Sequence, residues 1–286
     1  MKKFQIILMA VLMAAAVGHS AVITNLFVNF ESDTVGAQPN ATSVRPLPAS
    51  QAATCSVTVV TGSAIGTGNA VRYVDQSTNS PVGFEYNFVA SSNHQENAVG
   101  VKFTYSQRST VSTTGFNVNI AVGEYSTDNG NTLNSSTRRI AEVQIRETGV
   151  VRSAFNGLTA NLATYLPGTV HTVEFFVNDQ DAASVNYIQN GTTYSLAANS
   201  YSIYIDNISY GTGSIYLAAL VDGGTATAAT TQWNLGRFGI TSASGAYGFD
   251  IDFDNIVVTS LIPEPATVGM LLLGSIVVLA VRRRRA

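Results

Sequence analysis

Near the end of the chain three carboxylates, Asp250, Asp252 and Asp254, alternate with Phe249, Ile251 and Phe253. Such alternation marks a half-buried strand, so all three acids project from one face, with neighbours about 6.6 Å apart. Like charges that close repel unless water solvates them or a cation bridges them. Calcium is the natural bridge, a hard cation that takes about six to eight oxygen ligands. The competing readings are a solvated acidic face and a turn capped by Asp254. Asp206, followed by Asn207 as Asp254 is by Asn255, is a weaker candidate of the same kind. Other reactive groups are few. The single cysteine, Cys55, lies in the strand-like run CSVTVV and reads as a small buried hydrophobe; alone, it excludes an intrachain disulfide. Of three histidines, His19 falls in the N-terminal leader, leaving His94 and His171, too few for a histidine-rich metal site. His171 shares strand parity with Val173, Phe175 and Val177, which predicts an inward, hydrogen-bonded structural role; no G-x-S-x-G elbow accompanies it. Trp233, the only tryptophan, would either stack on a sugar face or fill core.

The elements that must position these residues are strands. Period two recurs at Phe84, Tyr86 and Phe88, at Val99, Val101, Phe103 and Tyr105, and at Phe116, Val118, Ile120 and Val122. Clusters of Gly, Asn, Ser and Thr separate the runs. This pattern predicts an all-β fold, an antiparallel two-sheet jelly-roll sandwich over residues 21–260, with one buried face per sheet. Only residues 155–165 suggest a helical turn. Ile205-Asp206-Asn207-Ile208 echoes Phe253-Asp254-Asn255-Ile256, which reads as two strands with similar edges rather than a duplication.

Both ends carry addresses. Lys2 and Lys3, an apolar stretch from Ile6 to Val17, and small residues at Gly18, Ser20 and Ala21 form a secretory signal peptide over 1–20. It implies passage through the Sec translocon and cleavage by signal peptidase. At the other end Pro263-Glu264-Pro265 precedes an uncharged, mostly apolar run over 266–281, then Arg282, Arg283, Arg284 and Arg285. Sixteen helical residues rise about 24 Å, close to a hydrocarbon core, and the arginines should stay cytoplasmic. Residues 21–262 then lie outside the cytoplasm. Without the leader's lysines and the terminal arginines, nine cations face eighteen acids, a body charge of −9. That argues against nucleic-acid binding, which needs clustered cations.

The order Pro-Glu-Pro, transmembrane helix, arginine cluster over 262–286 resembles the PEP-CTERM sorting tail of exported bacterial proteins. The resemblance implies processing by the membrane enzyme exosortase, an inner-membrane intermediate, and delivery to the cell surface or extracellular polysaccharide matrix. Gly168-Thr169-Val170-His171-Thr172-Val173 resembles a strand entry of concanavalin-like lectin/laminin-G sandwiches, with Val170 where tryptophan usually stands. Gly236-Arg237-Phe238-Gly239-Ile240 and the strand from Ile251 to Val258 resemble that fold's last two strands. Carbohydrate-binding jelly rolls often hold a structural calcium between an early acid and a final-strand Asp; Glu31, Asp33 and Asp254 are similar to that pattern. Concanavalin-like endoglucanases carry E-x-D-x-E on one strand. Here Asp250 and Asp254 occupy the outer positions, each a methylene short, which weakens a retaining hydrolase. The expectation is a non-catalytic surface or matrix module that binds glycans, with Trp233 as a stacking residue and calcium as the one implied cofactor. A secreted glycoside hydrolase and a structural surface protein without a small ligand are the alternatives.

Overall fold

The computed structural model describes residues 23–44, 55–76, 82–90, 96–110, 116–126, 133, 138–153, 161–215, 235–242 and 248–261. The expected signal peptide, the sorting tail with Pro263, Glu264, Pro265 and Arg282 to Arg285, His94 and Trp233 lie outside the described residues.

The described residues form an all-β structure of antiparallel strands. One sheet runs β15 (Ile208–Ser214), β14 (Ser200–Ile205), β11 (Val170–Asn178), β6 (Ala98–Gln107), β17 (Phe249–Ser260), β4 (Asn69–Asp75) and β3 (Cys55–Thr61). Its eighth strand, β1 (Ile23–Val28), pairs with the second half of β17. The other sheet runs β10 (Asn161–Thr164), β9 (Val150–Ser153), β8 (Arg139–Arg146), β7 (Asn117–Glu124), β16 (Leu235–Ser242), β5 (Gly83–Asn87) and β2 (Ser43–Val44). Alternation decides what lies between the sheets. Tyr73, Val101, Phe103, Val173, Phe175, Ile203, Ile251 and Phe253 from the first meet Phe84, Val118, Ile120, Val143, Ile145, Phe238 and Ile240 from the second in one buried cluster. Each large side chain contributes about 1.5–3 kcal/mol by leaving water. Cys55 is buried in this cluster, as its strand-like context predicts. Outside the first sheet, β12 (Val185–Gln189) and β13 (Thr192–Leu196) form a hairpin. It turns at Asn190-Gly191, both at positive φ, and lays Tyr187 and Leu196 over Phe176 and Tyr204.

Two expectations need correction. The helical turn over 155–165 does not extend through its C-terminal part, because Asn161–Thr164 is the edge strand β10, laddered to β9. A lone turn nucleates poorly, whereas the ladder satisfies the backbone directly. The echoed tetrapeptides are not similar strand edges. Asp206 and Asn207, at φ 52° and 66°, make the two-residue turn between β14 and β15. Asn255, at φ 51°, sits in a bulge of β17, where pairing with β6 skips from Asp254 to Val257. Asp-Asn recurs because both residue types tolerate the left-handed region, which one site uses to turn and the other to re-aim a strand.

Candidate functional site

Asp250 and Asp252 do lie on one face of β17, but arginines bridge them. Arg72 of β4 stands directly opposite Asp252 in the register. Its Nε donates to Asp252 Oδ1 at 2.9 Å, and Arg108 Nη1 donates to Oδ2 at 3.4 Å. The backbone N–H of Ala64 donates to Oδ2 at 2.9 Å, and Asp252 is 0% exposed. Asp250 lies 3.4 Å from Arg108 Nε and 3.9 Å from Arg72 Nε. Burial raises the Asp250 carboxyl above the usual range, and Arg108 and Arg72 oppose that shift. The hydrogen bond to Asp252 holds the Arg72 guanidinium above its ordinary value, against desolvation. The bridging cations for these two acids are therefore guanidiniums.

At the edge of the bulge, Asp254 accepts from the backbone N–H of Asn255 at 2.7 Å and from Asn255 Nδ2 at 3.0 Å. Burial pushes its carboxyl up to about 6; the Asn255 bond lowers it and the charge of Glu31 raises it further. Glu31 Oε1 accepts the backbone N–H of Asn69 at 2.9 Å. Asp33 instead gives both oxygens to Asn40, accepting its backbone N–H at 3.0 Å and its Nδ2 at 2.9 Å. Among the described residues no three His, Cys, Asp or Glu side chains form a group able to hold a metal.

His171 behaves as its parity predicts. Its Nδ1 is 2.7 Å from Asp206 Oδ2 and its Nε2 2.6 Å from Thr169 Oγ1. The ring lies on Tyr165 with centroids 3.7 Å apart. The sequence Asp, His, hydroxyl resembles a catalytic relay, but the Thr169 hydroxyl also donates to the Leu166 carbonyl at 2.6 Å. Asp206 accepts the Thr172 N–H at 2.9 Å as well. The group ties the start of β11 to the β14–β15 turn.

A second polar assembly covers the outer face of the seven-stranded sheet. It consists of the alternates of core residues: Glu85 between Phe84 and Tyr86, Asn119 between Val118 and Ile120, Gln144 between Val143 and Ile145, and Arg237 beside Phe238. Arg237 and Glu85 are both 0% exposed and meet at 2.5 Å, Nη1 to Oε2. Arg237 Nε donates to Asn87 Oδ1 at 2.7 Å, and Glu85 Oε1 accepts the Leu133 N–H at 2.7 Å. Gly239 makes room for this: a Cβ there would lie 2.9 Å from Glu85 Cγ and 3.0 Å from Leu133 Cδ1.

Further along the same face a chain of polar groups crosses β8 and β9. Arg139 donates to Glu142, Gln144 Nε2 donates to Glu142 Oε1 at 2.6 Å, and Arg152 Nε donates to Gln144 Oε1 at 2.5 Å. Desolvation and nearby Arg146 hold the Arg152 guanidinium below its ordinary value. Asn119 stands opposite Gln144 on one side and Thr241 on the other. Asn119 is 2% exposed and Thr241 0%, yet among the described residues Asn119 Oδ1 and Thr241 Oγ1 have no hydrogen-bond partner. A buried unsatisfied oxygen costs about 1–3 kcal/mol, so this pair is held at a cost that a donor reaching it would relieve. Sequence reasoning missed these residues because polar alternates in a strand ordinarily face water. The detectable signal was their density: amides and both charge signs on five neighbouring strands.

No family model matches the chain, and no curated protein matches it. Solved structures do. A carbohydrate esterase from Shiga toxin-encoding bacteriophage phi24B is 13% identical, with TM-score 0.47, covering 85% of this chain and 100% of that one. The globular domain of T. cruzi calreticulin is 12% identical, with TM-score 0.47, over 92% of this chain and 100% of that one. A sialidase is 12% identical, with TM-score 0.43, over 79% of this chain, which spans 19% of the sialidase.

Proposed function

We propose that the chain is an exported, non-catalytic surface or matrix module of jelly-roll type that binds glycans on the outer face of the seven-stranded sheet. One observation carries this: Asn119 Oδ1 and Thr241 Oγ1, adjacent, buried and unpartnered, beside the Arg139–Glu142–Gln144–Arg152 chain. Sugar hydroxyls both donate and accept, and planar amide, carboxylate and guanidinium groups are suited to paired hydroxyls. A site built for hydroxyls discriminates strongly against ligands that lack them. A glycan array probed with the processed protein tests this. Retention of a glycan class, weakened about tenfold by Asn119→Ala or Thr241→Val, is the expected outcome. An array without binding leaves the structural surface protein; bond cleavage in the bound glycan would mean a hydrolase.

The proposed route of export rests on the two ends. Exosortase would process the tail at or near Pro263-Glu264-Pro265, after Ala266 to Val281 has spanned the inner membrane with Arg282 to Arg285 on the cytoplasmic side. Each arginine costs about 2.5–3.5 kcal/mol at the bilayer centre, so four make a strong stop. Mass spectrometry of the protein exported by its native host should find a C-terminus near residue 263 and an N-terminus near residue 21. A C-terminus intact through Ala286 would make the tail an ordinary anchor.

A further inference from the structure

We infer a calcium site at the end of β11, built from Asp179, Asn97 and Asp181 and distinct from the Glu31–Asp254 pair. The ladder between β6 and β11 continues one residue beyond both strands, where the Asp179 N–H donates to the Asn97 carbonyl at 2.8 Å. Opposite residues of an antiparallel pair project from the same face. Asp179 and Asn97 share the parity of Val177 and Val99, which face the core. The Asp179 carboxylate thus points inward at the rim of the core.

There it is 1% exposed, and neither oxygen has a hydrogen-bond partner among the described residues. Asn97 Oδ1, across the ladder, is buried and unpartnered as well. The buried acids Glu85, Asp252 and Glu142 each meet an arginine, whereas no ion pair is found for Asp179 among the described residues. Burial pushes its carboxyl up to about 9, and the charge of Asp181 adds to that. Without a cation the arrangement is costly, since a buried carboxylate needs a partner or a proton.

The site is also pre-organised. Asn178 Nδ2 donates to the carbonyls of Ala183, Leu196 and Ala197 at 2.8, 3.1 and 2.9 Å. Asn178 Oδ1 accepts the Gln180 N–H at 3.2 Å, and the Asn199 N–H donates to the Gln180 carbonyl at 3.1 Å. These bonds hold the turn rigid around Asp179. An oxygen donor set, Asp179 and Asn97 with the exposed Asp181 two residues on, selects a hard cation. Calcium accepts irregular oxygen shells completed by water, whereas magnesium demands a near-ideal octahedron. The inference is independent of glycan binding.

The test uses the full-length protein stripped with a chelator, then titrated with calcium chloride against ionic-strength-matched potassium chloride. Calorimetry should show saturable binding, and the melting temperature should rise by several degrees with calcium alone. Asp179→Asn should abolish both responses and melt higher than the wild type in chelator, because the unpaired buried carboxyl at this site is then gone. Asn97→Ala should weaken calcium binding about tenfold. Asp254→Asn should leave the response intact. Absence of calcium binding by the wild type overturns the inference. So does a response that survives Asp179→Asn, and its loss in Asp254→Asn would then place the cation at the bulge of β17.

Discussion

Arg237→Met should destabilise the protein by about 3–5 kcal/mol, the largest effect expected of any single substitution on the outer face of the seven-stranded sheet. Arg237 and Glu85 are fully buried and joined at 2.5 Å. Their attraction offsets two desolvation costs only while both are present. Methionine fills the volume of the arginine stem but leaves the Glu85 carboxylate facing Asn87 and Leu133 without its cation. The double variant Glu85→Leu, Arg237→Met removes both charges and should recover most of the loss. Replacing a buried pair with apolar groups is often neutral or stabilising, whereas breaking it is not. Urea unfolding of the four proteins of this cycle measures the coupling. If the double variant is as unstable as the sum of the singles, the pair is uncoupled, and the loss at Arg237 comes from packing and from its hydrogen bonds to Asn87 Oδ1 and to the Ser126 carbonyl. Glycan binding should suffer in Arg237→Met only in proportion to unfolding, because Asn119 and Thr241 lie farther along β7 and β16.

What could be read in advance follows from what period two encodes. Phe249, Ile251 and Phe253 announce β17 and its inward face, and Val173, Phe175 and Val177 announce β11; the core follows from such runs. The inward placement of His171 follows from the same parity. Parity cannot say whether an outward residue meets water. Glu85, Asn119, Thr241 and Asp252 occupy outward positions and are buried nonetheless. For Glu85 and Asp252 the partners lie far off in sequence: Arg237 is 152 residues from Glu85, and Arg72 is 180 residues from Asp252. The same separation hid the cations that bridge the acidic strand. Asp179 was illegible for a different reason. It lies in Asn-Asp-Gln-Asp, a composition that reads as a solvated turn, and only the ladder running one residue past β6 and β11 turns its carboxylate inward.

The three strand acids should separate sharply on substitution. Asp252→Ala should cost about 2–3 kcal/mol, because one carboxylate serves Arg72, Arg108 and the Ala64 N–H, and charged hydrogen bonds are worth about 1.5–3 kcal/mol each where buried. The value stays below that of the Arg237 pair. The Arg72 and Arg108 side chains are 27% and 36% exposed, so water solvates the guanidiniums once the carboxylate is gone. Asp250→Ala should cost under about 1 kcal/mol: its Oδ1 has no hydrogen-bond partner, its contacts to arginine are 3.4 and 3.9 Å, and its removal relieves repulsion with Asp252. Asp254→Ala should cost as little, since its hydrogen bonds run to neighbouring Asn255. High salt should leave the Asp252 penalty nearly unchanged, because a carboxylate that is 0% exposed is poorly screened. Denaturant midpoints of the three variants at low and high sodium chloride give the comparison. Equal penalties at all three positions would return the strand to a solvated acidic face, and a dominant penalty at Asp254 would move its structural role across the bulge to Glu31.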